Sequence, residues 1–198
     1  MPVPPFHGDT FVAFMDIAGF KNMMTDGQRA EVALDAFYSA GFRVLRDHQN
    51  GNVHQRVDGF FISDCGVLFV RGDDQPPVFR LESLCRTIRK IHRRTFERAI
   101  QLTTSIAWGE FSYNERIEFP GIEKNAIYGA AYVTAFIDNE RGTPKLYPNE
   151  CRLRQEGLPL EVVEFCRLRQ GPVAARMRED PHHFYYEWMR EDVPQEPQ

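Results

Sequence analysis

No apolar run in this 198-residue chain approaches the roughly 20 residues that a membrane-spanning helix needs. The N-terminal stretch Met1-Pro-Val-Pro-Pro-Phe-His-Gly-Asp9 has neither the basic nor the apolar region of a signal peptide. The four cysteines, Cys65, Cys85, Cys151 and Cys166, include no Cys-x-x-Cys pair, and His92, His182 and His183 form no metal spacing with them or with one another. Reduced thiols in a cytoplasmic, membrane-free protein are therefore expected, rather than disulfide bridges or a zinc site built on these spacings. Excess positive charge is also missing: a net charge of −4 argues against a general nucleic-acid binder. The exception is the locally basic stretch Arg86–Arg98, which reads as a solvated helix face or as a phosphate- or partner-facing patch. There are no repeats and no low-complexity core.

What is present is an ordinary globular composition with many phenylalanines, sixteen in all, so the core is expected to be rich in aromatic rings. Residues 11–16 read as a strand buried on both faces. Lys21 to about Arg46 reads as a helix on the spacing of Val32, Ala36, Phe37, Ala40 and Val44. Val53–Ile62 and Cys65–Val70 flank a tight Ser63-Asp64 turn and read as a hairpin. Val78–Arg98 reads as a second long helix. Leu102–Trp108 reads as a strand ending at Gly109, with a loop through Pro120-Gly121 after it. A third helix opens at Ile127-Tyr128-Gly129 and runs to about Asp138, and Pro144–Tyr147 reads as a short strand. The order β–α–β–β–α–β is that of an α+β, ferredoxin-like split βαβ unit, an antiparallel central sheet with flanking helices. Residues 1–150 are expected to form this domain. Residues 151–198 are expected to be a helical C-terminal extension packing on the core or on a dimer partner.

Asp16 and Asp64 each stand beside a turn at the end of an apolar run. A carboxylate next to buried strand residues costs several kcal/mol unless it is paired or holds a cation. The strand order brings both to one sheet edge, where two carboxylates make an oxygen-ligand site for Mg²⁺ or Mn²⁺. The backbone of Ile17–Lys21 opens a helix, and Gly19 permits close backbone approach, as a phosphate would require.

Phe14-Met15-Asp16-Ile17-Ala18-Gly19-Phe20 resembles the Asp-Ile-x-Gly-Phe signature of class III nucleotidyl cyclases. Ile62-Ser63-Asp64 resembles the hairpin that carries their second metal carboxylate. Ser105-Ile106-Ala107-Trp108-Gly109 and Tyr128-Gly129-Ala130-Ala131-Tyr132-Val133-Thr134-Ala135 are similar to two further motifs, so the likeness spans about residues 10–150. It implies the cyclase catalytic fold and two Mn²⁺ or Mg²⁺ ions held by Asp16, Asp64 and the Ile17 carbonyl. It also implies a triphosphate bound by the N–H groups of Ala18, Gly19 and Phe20, and a site shared between two protomers of a homodimer.

Four positions depart from the family. Its transition-state Asn and Arg fall on Val133 and Ile137, and its adenine-reading Lys and Asp fall near Phe60 and Ala126. This pattern resembles the pyrimidine cyclases of Pycsar anti-phage systems. It implies conversion of UTP or CTP to the 3′,5′-cyclic nucleotide plus diphosphate, the product acting through a separate effector. UTP is favoured over CTP. The cation at the α-phosphate is expected among Arg141, Arg56 and Lys145. Base reading is expected from Phe60, Asp58 and Asn125, whose amide suits either pyrimidine. The alternatives are an inactive nucleotide-binding module of cyclase ancestry and a purine cyclase. A diguanylate cyclase or palm polymerase is disfavoured, because no Gly-Gly-Asp/Glu-Glu-Phe hairpin is present.

Overall fold

The computed structural model describes residues 4–50, 57–72, 74–119, 122–142 and 149–191. The strands β1 (Phe6–Ile17), β2 (Val57–Ile62), β3 (Cys65–Val70) and β4 (Leu102–Phe119) lie in the order β2-β3-β1-β4, all antiparallel, as the split βαβ reading requires.

The centre strand β1 is covered on both faces. Phe11, Ala13, Met15 and Ile17 pack into a core with Phe37 of α2 (Gly27–Asn50) and Leu84 and Ile88 of α3 (Pro77–Phe96). Val12 and Phe14 pack with Phe69, Phe111, Ala131 and Ala135 under α4 (Ala130–Arg141). Because each residue fills one core or the other, the strand reads as an unbroken apolar run instead of alternating.

Several boundaries differ from the sequence expectation. The helix expected from Lys21 is broken into α1 (Phe20–Met23) and α2, because Asp26 starts the second helix and accepts a 3.4 Å hydrogen bond from the Arg29 N–H. Gly109 does not end its strand. β4 continues to Phe119 and pairs with β5 (Ile122–Tyr128), so Ile127 and Tyr128 belong to a hairpin and the helix opens after Gly129. A glycine is required at that junction: φ is +132°, and a Cβ would stand 2.3 Å from the Glu110 carbonyl oxygen. The expected Pro144–Tyr147 strand lies outside the described residues.

The C-terminal segment is not a helical appendage. β6 (Glu150–Arg154) runs parallel to β4, and β8 (His183–Glu187) and β7 (Met177–Glu179) extend the same sheet beyond it. Among the described residues there, only α5 (Leu160–Leu168) and the short α6 (Gly171–Ala174) are helical. The aromatic stretch that follows docks on the core: Phe184, Tyr186 and Trp188 are fully buried, with Trp188 against His92 and Phe96. His92 is itself a packing residue, bonded to Thr104 Oγ1 at 2.8 Å and pushed down to about pKa 3 by burial. The basic helix α3 is tied to this segment through Arg89, which donates to the Trp188 and Arg190 carbonyls. Arg152 reaches beneath the end of α4 to Ser105 Oγ and the Asn139 carbonyl, and His183 bonds Asp138 at 2.9 Å.

Replacing Trp188 by Ala is expected to cost about 3–5 kcal/mol in denaturant unfolding, as for a core tryptophan. A loss under about 1 kcal/mol would show that the C-terminal strands are peripheral to the cooperative unit.

Candidate metal centre

Asp16 lies at the last turn of the pleat in β1, on the α4 face that also carries Phe14, and its register partner is Cys65 at the start of β3. The two-residue β2–β3 connection, with Ser63 in a left-handed conformation (φ 55°), places Asp64 immediately before that partner. The Ile17 N–H donates to the Asp64 carbonyl at 3.1 Å, which draws the hairpin turn against the end of β1. One ligand atom each of Asp16, Asp64 and Cys65 then lies within 4.8 Å of the others. The Cys65 thiol donates to Asp16 Oδ1 at 3.5 Å.

Electrostatics marks this cluster as short of positive charge. Burial, the Asp64 carboxylate and Glu140 on α4 push the Asp16 carboxyl up to about 6. Burial and the two aspartates push the Cys65 thiol up to about 12. Two half-buried carboxylates facing each other fit a hard divalent cation, whose charge would relieve both the desolvation and the repulsion.

The remaining expected site residues divide. Gly19 is the N-cap of α1 in a left-handed conformation (φ 74°), and Phe20 buries its ring just beyond. The Ala18 N–H is not available to a phosphate: it donates to the Gln101 carbonyl at 2.9 Å. Asp58 does not read a ligand either. It shares a sheet face with Phe60 but is buried, and its carboxylate is held by Arg71, which also reaches the Pro4 and Pro5 carbonyls. Asn125 stands in β5, paired with Glu115, and not in a loop. Arg141 is the exposed last residue of α4. Arg56 and Lys145 lie outside the described residues.

Beside the cluster opens a cavity of about 240 Å³ lined by Phe14, Phe60, Ile62, Cys65, Tyr132 and Phe136, among others. Phe60 stacks on Tyr113 at its edge (5.4 Å between ring centres). Two residues here, Cys65 and Glu140, escape a reading by motif, whereas Tyr132 lines the cavity with Phe60 as its bulk suggests. Cys65 directly follows Asp64, and only the β1–β3 register reveals that it faces Asp16. Glu140 sits one helical turn beyond Ile137 on α4, a spacing that would place it near the strand ends. Tyr132 shares the cavity wall with Cys65.

No protein-family model matches the chain. No curated protein matches it in sequence. Solved structures do. A bacterial light-regulated adenylyl cyclase superposes with TM-score 0.61 at 12% identity, over 96% of this chain and 55% of the other. The chain thus spans about half the length of that protein. The non-canonical dimeric guanylyl cyclase domain of a RhoGC fusion protein from the aquatic fungus Blastocladiella emersonii superposes with TM-score 0.59 at 12% identity, covering 93% of this chain and 97% of that one. The guanylate cyclase domain of RhGC from Catenaria anguillulae, solved with GTP, gives TM-score 0.54 at 12% identity over 77% and 80%.

Since the folded-state value of Asp16 is raised, the folded chain holds that proton more tightly than the unfolded chain. Without divalent cations its contribution is fully present below pH 3.8 and is lost as pH rises through about 6. Asp16→Asn is therefore expected to raise the melting temperature in EDTA at pH 7 and to abolish the further rise that Mn²⁺ gives the wild type. A variant that melts lower than wild type in EDTA would contradict this. At this level of identity the comparisons establish the architecture: the chain has the α+β fold of class III cyclase catalytic domains.

Proposed function

We propose that this protein is a pyrimidine nucleotide cyclase that converts UTP, or CTP, to the 3′,5′-cyclic monophosphate and diphosphate. The observation that carries the proposal is the convergence of the Asp16 and Asp64 carboxylates at the end of β1 within a cyclase fold. These two side chains, with the Ile17 carbonyl beside them, would hold two Mg²⁺ or Mn²⁺ ions. When bound, such ions supply acidification of the ribose 3′-hydroxyl and neutralisation of the departing diphosphate. The 3′-oxygen then attacks the α-phosphorus, its proton passes to solvent, and the diphosphate leaves.

The chain's own residues supply position. Gly19, left-handed and with open space around its Cα, lets a triphosphate approach the N–H groups of Gly19 and Phe20. The aromatic cavity next to Cys65 suits a flat base stacked among Phe14, Phe60 and Phe136. Its lining holds Phe60 where purine cyclases carry a base-reading Lys, which supports a pyrimidine over a purine. Arg141, Arg56 and Lys145 remain the proposed sources of positive charge at the α-phosphate.

Ile62 and Phe136 are apolar, exposed and line this cavity, and Val133 and Ile137 are exposed on the same helix as Phe136. A second copy covering them would close the open wall, so the active species is proposed to be a homodimer. No helix among the described residues is long and apolar enough to cross a membrane. Action in the cytoplasm through a separate cyclic-nucleotide-sensing effector, as in anti-phage signalling, belongs to the same proposal.

A second reading has one observation in its favour. Val133 and Ile137 leave the exposed face of α4 without the family's Asn and Arg, as a nucleotide-binding module without turnover would.

Incubation with each of the four ribonucleoside triphosphates and Mn²⁺, with product identification, is expected to yield cyclic UMP above cyclic CMP. Asp16→Asn and Asp64→Asn are each expected to lower turnover at least about 100-fold, the scale on which lost charge stabilisation acts. Cyclic AMP or cyclic GMP as the main product would overturn the pyrimidine assignment. UTP binding with no product would favour the binding module. Light scattering is expected to show a dimer that Ile137→Glu converts to an inactive monomer; full activity in a monomer would refute the shared site.

A further inference from the structure

The thiol beside the two carboxylates has no part in the reaction proposed above. We propose that Cys65 Sγ, with one carboxylate oxygen each from Asp16 and Asp64, forms a site for a thiophilic divalent cation of the zinc class. Such an ion displaces oxygen-preferring cations from the same carboxylates and stops turnover. The first half rests on donor geometry alone. The second rests on the cyclase reading.

The donor spacing is already that of a coordination sphere. Cys65 Sγ stands 3.5 Å from Asp16 Oδ1. A tetrahedral ion with a sulfur ligand at about 2.3 Å and an oxygen ligand at about 2.1 Å sets those donors about 3.6 Å apart. The Asp64 oxygen is within 4.8 Å of both and belongs to a half-buried hairpin residue. The backbone that carries the three is fixed. Asp16 and Cys65 are register partners in the β1–β3 ladder, and the Ile17 N–H bond to the Asp64 carbonyl ties the turn to the same strand end. Glu140 on α4 adds negative charge felt by both Asp16 and Cys65.

Selectivity follows from the mixed donor set. Mg²⁺ and Mn²⁺ take the carboxylates and gain nothing from a thiol, whereas Zn²⁺ and Cd²⁺ gain a metal–sulfur bond. Binding forms that bond and releases the thiol proton to water, with no change of oxidation state. Of the four cysteines only Cys65 is not buried; Cys85, Cys151 and Cys166 are enclosed in the core.

The test is titration of the full chain with Cd²⁺ in a non-thiol reductant, read by sulfur-to-cadmium charge-transfer absorption in the ultraviolet. The wild type is expected to saturate at one equivalent. Cys65→Ser is expected to lose the band and at least about 100-fold in Cd²⁺ affinity, the upper end of what losing a mere supporting partner does. A band that survives Cys65→Ser, or Cd²⁺ binding by the wild type without one, overturns the site. Cadmium-113 NMR of the wild type needs no variant: a shift for one sulfur among oxygens is expected, and an all-oxygen shift overturns the site. Zn²⁺ added to the Mg²⁺-dependent reaction, each protein compared with its own zinc-free rate, is expected to inhibit wild type at least about tenfold more strongly than Cys65→Ser. Equal inhibition refutes the displacement. A chain that turns over no nucleotide refutes the cyclase reading, and the spectroscopic result still decides the cation site.

Discussion

The structure depends on β1 being enclosed by helices on both faces. With Phe11, Ala13, Met15 and Ile17 committed to one core and Val12 and Phe14 to the other, a slip of one residue would exchange the two sets and empty both. Register is therefore fixed to the residue, and with it the position of Asp16 at the point where cover ends. The same pairing fixes Cys65 opposite and Asp64 beside it. A polar cluster at the end of so apolar a strand costs folding free energy, which a bound cation can return.

The layer above this strand end is helical. α4 lies across β1 and β4 with Ala131 and Ala135 inward, small enough for close approach, and turns Val133, Phe136 and Ile137 outward. Under the proposed reading the carboxylates below hold the metal ions, while the helix above presents apolar side chains where that reading expects charge and amide. The cavity beside them is correspondingly aromatic, with Tyr132 and Cys65 among the residues that line it. A pocket of this kind discriminates by shape and stacking more than by hydrogen bonds to a base edge.

The heart of the fold was legible because its signals are local or fall on strongly apolar elements. The run at Phe11–Met15, the tight Ser63-Asp64 turn and the helix spacing of α3 each declare their type within a few residues, and their order leaves one sheet topology. Asp16 and Asp64 followed from that topology. The second half was less legible for a physical reason: β6, β7 and β8 are short and gain their strand character from partners far away in sequence. Gly109 looked like a terminator, yet a glycine inside a ladder can equally mark a bend. Asp58 shows the limit most clearly. Strand alternation puts it on the right face, but nothing local reveals that Arg71, 13 residues on across the hairpin, neutralises it. Likewise Ala18 lies in the motif, while the carbonyl that claims its N–H comes from Gln101.

The parallel pairing of β6 with β4 has a bearing on how the molecule can be handled. β4 meets β6 at Ser105 and Ile106, the same stretch whose other side is bonded to Phe14 and Ala13. A shortened version lacking the last fifty residues would leave that stretch with unpaired backbone donors and acceptors and a bared apolar flank where Trp188 and Phe184 had been. Such an edge is adhesive toward other chains. The C-terminal strands thus act as a solubility cover for the central sheet, and a fragment cut before β6 would be a protein that clumps.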